Sequence, residues 1–356
     1  MKALRLFLFV LIFNLFLAFP AHLYAIYNPT DVPVNKYGIH ILDISDIDDA
    51  AKLVNGQGNW GNVTFVIQDD DLNIDKWKPF FLALREKRLI PIVRIATHVE
   101  NGNWAKPTEE TLRKFADFLE FMPWPIENRY VIIFNEPNMA GEWGGDLSPA
   151  EYARILSKAV SVFKSTDPNF FILNAGFNST AQNISGKTMD VTLYWQWMNE
   201  AVPGIFTMID GWVSHPYPDG NFLASPYKSG RYSIQAYKWE EEYLKNSFNT
   251  GSRPVFITET GWNADQLSSD TVSDYYKIAF TEIWTDTNIV AITPFVLSYQ
   301  DNLFSRFSWK ILGQNSFLKQ YDVVKQLPKV MAKPILGPVS PFGVLLAKEL
   351  ALENIF

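Results

Sequence analysis

Residues 129–138 read RYVIIFNEPN, an apolar run that ends in a cluster of polar side chains. Its valine, isoleucine and tyrosine favour β-strands, and a continuous apolar run is typical of a strand with both faces buried. Seven further short runs have the same character, and segments with the apolar spacing of helices separate them. The eight runs cover residues 37–42, 62–68, 89–96, 129–134, 170–175, 211–215, 254–258 and 289–297.

The order of these runs predicts the fold class. Their starts lie 25 to 43 residues apart, which is enough for a strand, a helix and two loops each time. Buried strands that alternate with amphipathic helices indicate a parallel sheet covered by helices, and eight repeats favour an α/β fold closed into a (β/α)8 TIM barrel. The alternative is an open doubly wound sheet. It is disfavoured because residues 43–46 (DISD) follow the first run, where that fold usually has a glycine-rich phosphate-binding turn.

Several helices have recognisable starts or faces. Ser148, Pro149 and Glu151 have the pattern of a capping box with proline at the first helical position. Apolar residues three to four apart predict further helices over residues 75–87, 108–119 and 270–283.

Composition excludes several classes of protein. Of the 356 residues, 47% are apolar and 15% aromatic, so we expect a large buried core rather than a disordered chain. A net charge of −7 lacks the basic surface of a nucleic-acid binder. The absence of cysteine excludes thiolate nucleophiles, disulfides and cysteine-ligated metals.

The N-terminus predicts export. Lys2 and Arg5 precede an apolar run over residues 6–19, and a small residue at the end of residues 20–25 offers a cleavage point. We interpret residues 1–25 as a signal peptide of a secreted or cell-envelope protein. An uncleaved membrane anchor is the alternative, because Leu23 is bulkier than the small residue preferred at that position.

The rest of the chain is predicted to form one catalytic domain, a barrel over residues 30–327. Residues 328–356 are rich in proline at first, and we expect a tail that packs on the barrel and ends in a short helix near 347–354. No second domain or low-complexity linker is apparent, and we expect a monomer.

Two acidic residues stand where this fold carries its chemistry, at the carboxyl ends of the strands. The fourth run ends in Asn135-Glu136-Pro137, and the seventh ends in Glu259, followed by Thr260-Gly261-Trp262. A single glutamate is usually an ordinary surface residue. At the end of an apolar strand, however, a charge is costly to bury without a partner and is usually functional. Paired carboxylates at one barrel mouth are the machinery of glycosidic bond cleavage.

These two strand ends resemble those of the clan A retaining β-glycosidases, a large group built on the eightfold barrel, and the resemblance covers about residues 35 to 325. It implies hydrolysis of a β-linked glycan by double displacement, with Glu259 as the nucleophile and Glu136 as the acid/base. Glu136 must then hold a proton while Glu259 stays ionised. The clan's retention of configuration implies carboxyl groups about 5 to 5.5 Å apart.

The same resemblance assigns further substrate-binding residues. Asn135 corresponds to the residue that binds the sugar 2-hydroxyl, and His215 and Tyr217 at the sixth strand end correspond to groups that contact substrate and nucleophile. Arg94, near the end of the third strand, is our candidate for a cation beside Glu259, although the clan typically places that arginine on strand two. His40 ends the first strand and is expected to reach the same sugar.

Aromatic residues are expected to line the cleft, because the apolar faces of sugar rings stack on them. Where many clan members have a tryptophan after strand eight, this chain has Phe295 and Tyr299. Any one tryptophan is more often a core residue. The candidates on predicted loops and strand ends are Trp60, Trp104, Trp143 and Trp262, of which Trp143 and Trp262 are assigned to substrate binding.

Other chemistries lack their motifs. With four histidines and no His-x-His at the first strand, no metal is predicted, and no cofactor either. Neither a Gly-x-Ser-x-Gly elbow nor a P-loop is present. The expected partner is an oligo- or polysaccharide, with no nucleic acid and with membrane attachment only through the N-terminal segment. Two alternatives stay open: a carbohydrate-binding barrel protein of the cell envelope without turnover, and a transglycosylase.

Overall fold

The structure is a computed structural model that describes residues 26–56 and 60–338. The predicted signal peptide and the predicted helix near 347–354 lie outside these ranges. Within them, none of the helices has the length and apolar character needed to cross a bilayer.

Eight strands alternate with eight α-helices, as the run order predicted. The strands are β1 (Gly38–His40), β2 (Gly61–Gln68), β3 (Leu89–Ala96), β4 (Arg129–Ile133), β5 (Phe170–Leu173), β6 (Trp212–Ser214), β7 (Val255–Ile257) and β8 (Ile289–Ile292). The helices are α1 (Ile47–Val54), α2 (Ile74–Glu86), α3 (Glu109–Glu120), α4 (Pro149–Thr166), α5 (Val191–Ala201), α6 (Ala236–Phe248), α7 (Ser269–Ile278), which continues into a π-helical turn (Ala279–Ile283), and α8 (Lys319–Gln326).

The strands are all parallel and form two sheets that meet at both edges. One sheet has the order β1-β2-β3-β4-β5 and the other the order β8-β7-β6. Parallel bridges between Tyr37 and Ile292 and between Leu173 and Gly211 join the sheets. The predicted (β/α)8 barrel is therefore confirmed. The wall is a regular sheet in two parts, and it closes where the edge strands of the two sheets meet.

The lower half of the barrel is filled by side chains rather than open. Buried residues of strands β3 to β8 contribute to one cluster, in which the Tyr130 ring lies 5.2 Å from Phe171 and 4.9 Å from Phe256, centroid to centroid. A larger apolar cluster packs between the strands and the helices. Substrate can therefore approach only the end where the strands finish.

Helix α4 begins where the sequence predicted, but the predicted capping box is not formed. Helix α4 begins at Pro149 as predicted, but the Ser148 side chain makes no capping hydrogen bond. The Glu151 carboxylate instead accepts from Lys106 and from the Trp143 indole. The reciprocal pair of bonds that defines a capping box is therefore not formed at this helix start.

The segment that follows α8 crosses the end of the barrel where the strands begin. The Glu127 amide donates to the Ile335 carbonyl at 2.8 Å, and the Lys333 amide donates to the Pro33 carbonyl at 2.9 Å. Both partners precede strands, so residues 328–338 lie opposite the end where the two carboxylates stand.

Candidate active site

The chain turns sharply where β4 ends, and this turn presents Glu136. Phe134 and Glu136 adopt positive φ values of 67° and 26°, which non-glycine residues rarely do. The Glu136 amide donates to the Gly176 carbonyl at 2.9 Å, and the Met139 amide donates to the Glu136 carbonyl at 2.8 Å. These bonds hold the strained backbone, and the Glu136 side chain keeps 15% exposure at the barrel mouth.

Glu259 follows β7 and has several groups that favour its charge. The Tyr217 hydroxyl donates to Oε2 at 3.2 Å, and Nη1 of Arg94 lies 3.9 Å from Oε1. Burial alone would raise the pKa of this carboxyl. The charges of His215 and Arg94, together with the Tyr217 hydrogen bond, outweigh burial and lower the pKa. Glu259 is therefore ionised at neutral pH.

His215 joins the two carboxylates. Its Nδ1 lies 3.0 Å from Oε1 of Glu136, and its Nε2 lies 3.1 Å from Oγ1 of Thr258. Burial disfavours the imidazolium, but the charge of Glu259 and the hydrogen bond to Glu136 outweigh it and raise the pKa of His215. The imidazolium is thus favoured by the two carboxylates beside it, Glu136 at 3.0 Å and Glu259 at 3.9 Å from Nδ1.

The carboxylates are close enough for one sugar ring to contact both. One oxygen of Glu136, one oxygen of Glu259 and one ring nitrogen of His215 all lie within 4.8 Å of one another. Among the residues that the structure describes, this trio is the cluster that could also hold a metal ion. Both ring nitrogens already have protein partners, however, so ligation would break one of those hydrogen bonds.

Arg94 and Asn135 lie together beside the pair. The Arg94 side chain is 13% exposed, and its Nε has no hydrogen-bond partner among the described residues. The Oδ1 of Asn135 is likewise buried without a partner there. Both residues line a small cavity with Glu142, a third carboxylate that the sequence analysis missed. Nothing in its sequence context distinguishes Glu142 from an exposed loop glutamate.

His40 lies beneath the site rather than in the cleft, which corrects the expectation that it reaches the sugar. It is fully buried, and the Phe295 ring covers it edge-on at 5.2 Å between centroids. Burial lowers the pKa of His40 to about 3, so the ring is neutral.

Three of the four tryptophans are not cleft residues. Trp143 and Trp262 are each 1% exposed, because Trp143 packs on Phe134 and Tyr152 and Trp262 packs on two tyrosines of α7. The expectation that these two bind substrate by stacking is wrong for this structure. Trp60 precedes β2, which begins at Gly61, and so lies at the opposite end of the barrel.

Trp104 does face a groove. It belongs to a two-stranded hairpin after β3 and is half-buried. It borders a groove of about 330 Å³ at the ends of β1, β2 and β3, which extends to Arg94. Polar side chains that can bind hydroxyl groups share this groove, namely Asp43, Gln68, Asp71 and Lys76.

An aromatic wall stands on the other side of the pair. Phe295 follows β8, is half-buried, and packs on Tyr299, Phe304 and Phe307. Tyr217 also contacts Phe307, at 5.7 Å between ring centroids. The residues noted in the sequence in place of the clan's tryptophan therefore do lie at the site.

Gly176 is a second residue that the sequence analysis missed. A β-carbon built on it would overlap the imidazole ring of His215, and its carbonyl accepts the Glu136 amide. The position after β5 thus sets the placement of two functional side chains. Its signal in the sequence is only a glycine after a strand, which is common in loops.

The fold is shared with glycoside hydrolases of known structure. A family 39 glycoside hydrolase from the gut symbiont Bacteroides cellulosilyticus gives a TM-score of 0.55 at 14% identity, over 84% of this chain and 64% of that one. A family 128 endo-β-1,3-glucanase from Sorangium cellulosum gives 0.54 at 16% identity, over 82% and 98%. A family 39 β-xylosidase from Caulobacter crescentus gives 0.57 at 12% identity, over 86% and 74%.

These neighbours belong to clan A, so the predicted clan A fold is confirmed. By sequence the chain matches no protein-family model and no curated protein. The chain spans less than two thirds of the length of the Bacteroides enzyme. At these identities the likeness to the solved structures shows the fold alone.

Proposed function

We propose that the protein is a retaining glycoside hydrolase that cleaves a β-linked glycan, with Glu259 as the nucleophile and Glu136 as the acid/base. The observation that carries this proposal is the separation of at most 4.8 Å between carboxylate oxygens of Glu136 and Glu259. Retaining enzymes place their carboxyl groups about 5 to 5.5 Å apart, whereas inverting enzymes leave about 6.5 to 9.5 Å for a water molecule.

In the first step the Glu259 carboxylate attacks the anomeric carbon. The bond from that carbon to the leaving oxygen breaks, and Glu136 gives its proton to that oxygen. The Tyr217 hydroxyl and Arg94 favour an ionised nucleophile before attack. Asn135 lies beside Glu136 and is suited to bind the sugar 2-hydroxyl, an interaction that strengthens in the transition state.

In the second step water replaces the leaving group. Glu136, now ionised, takes a proton from the water as its oxygen attacks the anomeric carbon, and the bond to Glu259 breaks. His215 contacts Glu136 at 3.0 Å and stabilises its ionised form between the two steps. Net configuration at the anomeric carbon is retained, because two displacements occur at it.

The side chains at the mouth of the barrel support a neutral glycan as the substrate class. The groove beside Trp104 offers one aromatic face with carboxylate, amide and ammonium groups, which suits the hydroxyls of a neutral sugar chain. The glucanase and xylosidase names of two structural neighbours are consistent with a β-linked oligo- or polysaccharide.

A reducing-sugar screen of purified residues 26–356 across β-glucans, mannans, xylans and galactans tests the proposal. We expect release from at least one glycan, with a loss of about 10²- to 10⁴-fold in Glu136→Gln, as for a removed general acid, and of at least as much in Glu259→Gln. Glu110→Gln, an exposed carboxylate on α3, is the matched control. Wild-type rates in both site variants would contradict the assignment.

Two further outcomes separate the alternatives. Binding of oligosaccharides without any release would favour a carbohydrate-binding protein. Transfer of the sugar to a second sugar, detected as longer products by mass spectrometry, would identify a transglycosylase that uses the same two carboxylates. Proton NMR of the first-formed product tests retention directly, and an inverted anomer would exclude the double displacement.

Export is a separate part of the proposal, and it rests on residues 1–25. The full chain, expressed in a bacterium with a general secretion system, is expected in the extracytoplasmic fraction. The mass of the mature protein then distinguishes cleavage near Ala25 from retention of an anchor. An uncleaved protein in the cytoplasm would contradict export.

A further inference from the structure

A third carboxylate stands close to the proposed catalytic pair, and the double displacement gives it no task. Glu142 ends the 3-10 turn Ala140–Glu142 in the loop between β4 and α4. It lines the small cavity that also holds Arg94 and Asn135, and its side chain is mostly withdrawn from solvent. A carboxyl in such a position is costly unless polar neighbours compensate for the lost hydration.

The turn that carries Glu142 is fixed from three sides. The Ala140 amide donates to the Lys187 carbonyl at 2.8 Å, and the Gly144 amide donates to the Trp104 carbonyl at 2.7 Å. Trp143, directly after Glu142, is buried and donates its indole N–H to Glu151 at 3.1 Å. The loop therefore holds Glu142 in place instead of leaving it free to turn outward.

Two groups of the site act on the Glu142 carboxyl. The attraction of the Arg94 guanidinium and hydrogen bonding by the Asn135 side chain both oppose the rise in its pKa that burial causes, and the three residues line the same cavity. Only the Asn135 amide nitrogen can donate, so this bond sets which end of the amide faces Glu142. The Asn135 oxygen then remains an unpaired acceptor. Arg94 meanwhile lines the cavity with Glu142, and its Nη1 lies 3.9 Å from Oε1 of Glu259.

We propose that Glu142 is a positioning residue, which fixes the amide of Asn135 for the sugar and shares the charge of Arg94 with Glu259. The proposal rests on the hydrolase function proposed above and deepens it. By fixing the Asn135 amide, Glu142 leaves the amide oxygen as the acceptor for a sugar hydroxyl. By sharing Arg94, it adjusts how strongly that cation stabilises the nucleophile.

The charge of Glu142 itself changes in the working pH range. Burial raises its pKa to about 7, with Arg94 opposing the rise and the charges of Glu136 and Glu259 adding to it. Above that pH an extra negative charge lies beside Glu136 and favours the protonated acid. Ionised Glu142 therefore extends the basic limb of the rate profile toward higher pH.

The first test needs no substrate. Glutamate carboxyl carbons labelled with ¹³C are titrated by NMR, and Glu142→Gln assigns the signal by its loss. We expect Glu142 to titrate near pH 7 in the wild type and, because a donor is lost, roughly half a unit higher in Asn135→Ala. Titration near pH 4.5, or an identical curve in Asn135→Ala, would overturn the proposal.

The second test uses two variants that separate the hydrogen bond from the charge. Gln at position 142 keeps an acceptor for Asn135, whereas Leu removes both acceptor and charge. For Glu142→Gln we expect kcat/KM within about threefold of wild type at pH 6, and a basic limb shifted down by roughly half a unit. For Glu142→Leu we expect a loss of about 10- to 100-fold, equal to that of Asn135→Ala and not additive with it.

The results of these tests separate the role proposed for Glu142 from the hydrolase function on which it rests. Full additivity of Glu142→Leu and Asn135→Ala, or a rate loss that tracks only a lowered Tm with no change in limb position, would mean that Glu142 is merely structural. Glu100→Gln, on the exposed hairpin, is the control for charge. If the wild type hydrolyses nothing, the hydrolase proposal fails, and the NMR titration still decides whether Glu142 and Asn135 are coupled.

Discussion

Gly176 lies directly against the imidazole ring of His215, so closely that no side chain of any size could stand between them. The same residue accepts the Glu136 amide through its carbonyl. The placement of the imidazole and of the Glu136 backbone therefore depends on one backbone position after β5.

Gly176→Ala is expected to displace His215 and lower kcat by on the order of 10²-fold, because misplacement by about 1 Å is enough to disrupt catalytic geometry. Overpacking should also cost about 1 to 3 kcal/mol of stability. Kinetics together with urea unfolding measure both effects. Gly251→Ala is the control, since a β-carbon there meets nothing within 4 Å. Full activity in Gly176→Ala would show that the ring can shift without harm.

Tyr217→Phe removes a hydrogen bond that lowers the pKa of Glu259. The acidic limb of kcat/KM should then move to higher pH, by roughly half a unit, because Glu259 protonates earlier as the pH falls. We expect a loss of about 10-fold at the optimum. The comparison is Tyr227→Phe, which removes a similar bond to Glu282 on the surface. A limb that does not move would mean that Tyr217 acts on the sugar alone.

His215 should make stability depend on pH in a defined direction. Its pKa in the folded protein is raised above the unfolded value of about 6.5, so its contribution is fully present below pH 6.5 and is lost as the pH rises through the raised pKa. The Tm difference between wild type and His215→Gln should therefore be larger at pH 5.5 than at pH 9. The reverse order would contradict an imidazolium that the two neighbouring carboxylates favour.

Substitutions of the tryptophans should divide into those that lower stability and those that weaken substrate binding. Trp143→Phe and Trp262→Phe remove buried volume and are expected to lower the free energy of unfolding by about 1 to 3 kcal/mol while leaving KM nearly unchanged. Trp104→Ala is expected to raise KM severalfold, because it borders the groove beside Arg94. Calorimetry measures the change in stability of each variant, and initial rates on the same glycan measure the change in KM. A raised KM in Trp143→Phe alone would restore it as a substrate contact.

The features that could be predicted from the sequence are those that depend on a local pattern of residues. The eight buried runs are legible because continuous apolar strands and amphipathic helices have different periods. Glu136 and Glu259 could be found because each ends such a run. Tyr217 contacts Glu259 as the resemblance implies, whereas Arg94 reaches Glu259 from strand three and not from strand two.

Long-range packing decided the rest. Trp143 and Glu142 are neighbours in sequence, yet the tryptophan is buried and the carboxylate faces Arg94, and no local pattern distinguishes those two fates. His40 and His215 each end a strand and are both buried, but His215 contacts Glu136, whereas His40 packs under Phe295 from a distant part of the chain. Exposure of a strand-end side chain depends on which loop folds over it, and that is settled only in three dimensions.

The two carboxylates belong to different sheets. Glu136 follows a strand of the five-stranded sheet and Glu259 follows a strand of the three-stranded sheet, and the sheets meet through isolated bridges and a few further hydrogen bonds. Neither half of the chain carries both carboxylates of the proposed hydrolase, so the onset of turnover during refolding would report the moment at which the halves dock. Two separately expressed fragments, divided between β5 and β6, would regain hydrolysis only on reassembly, which makes catalysis a direct readout of barrel closure.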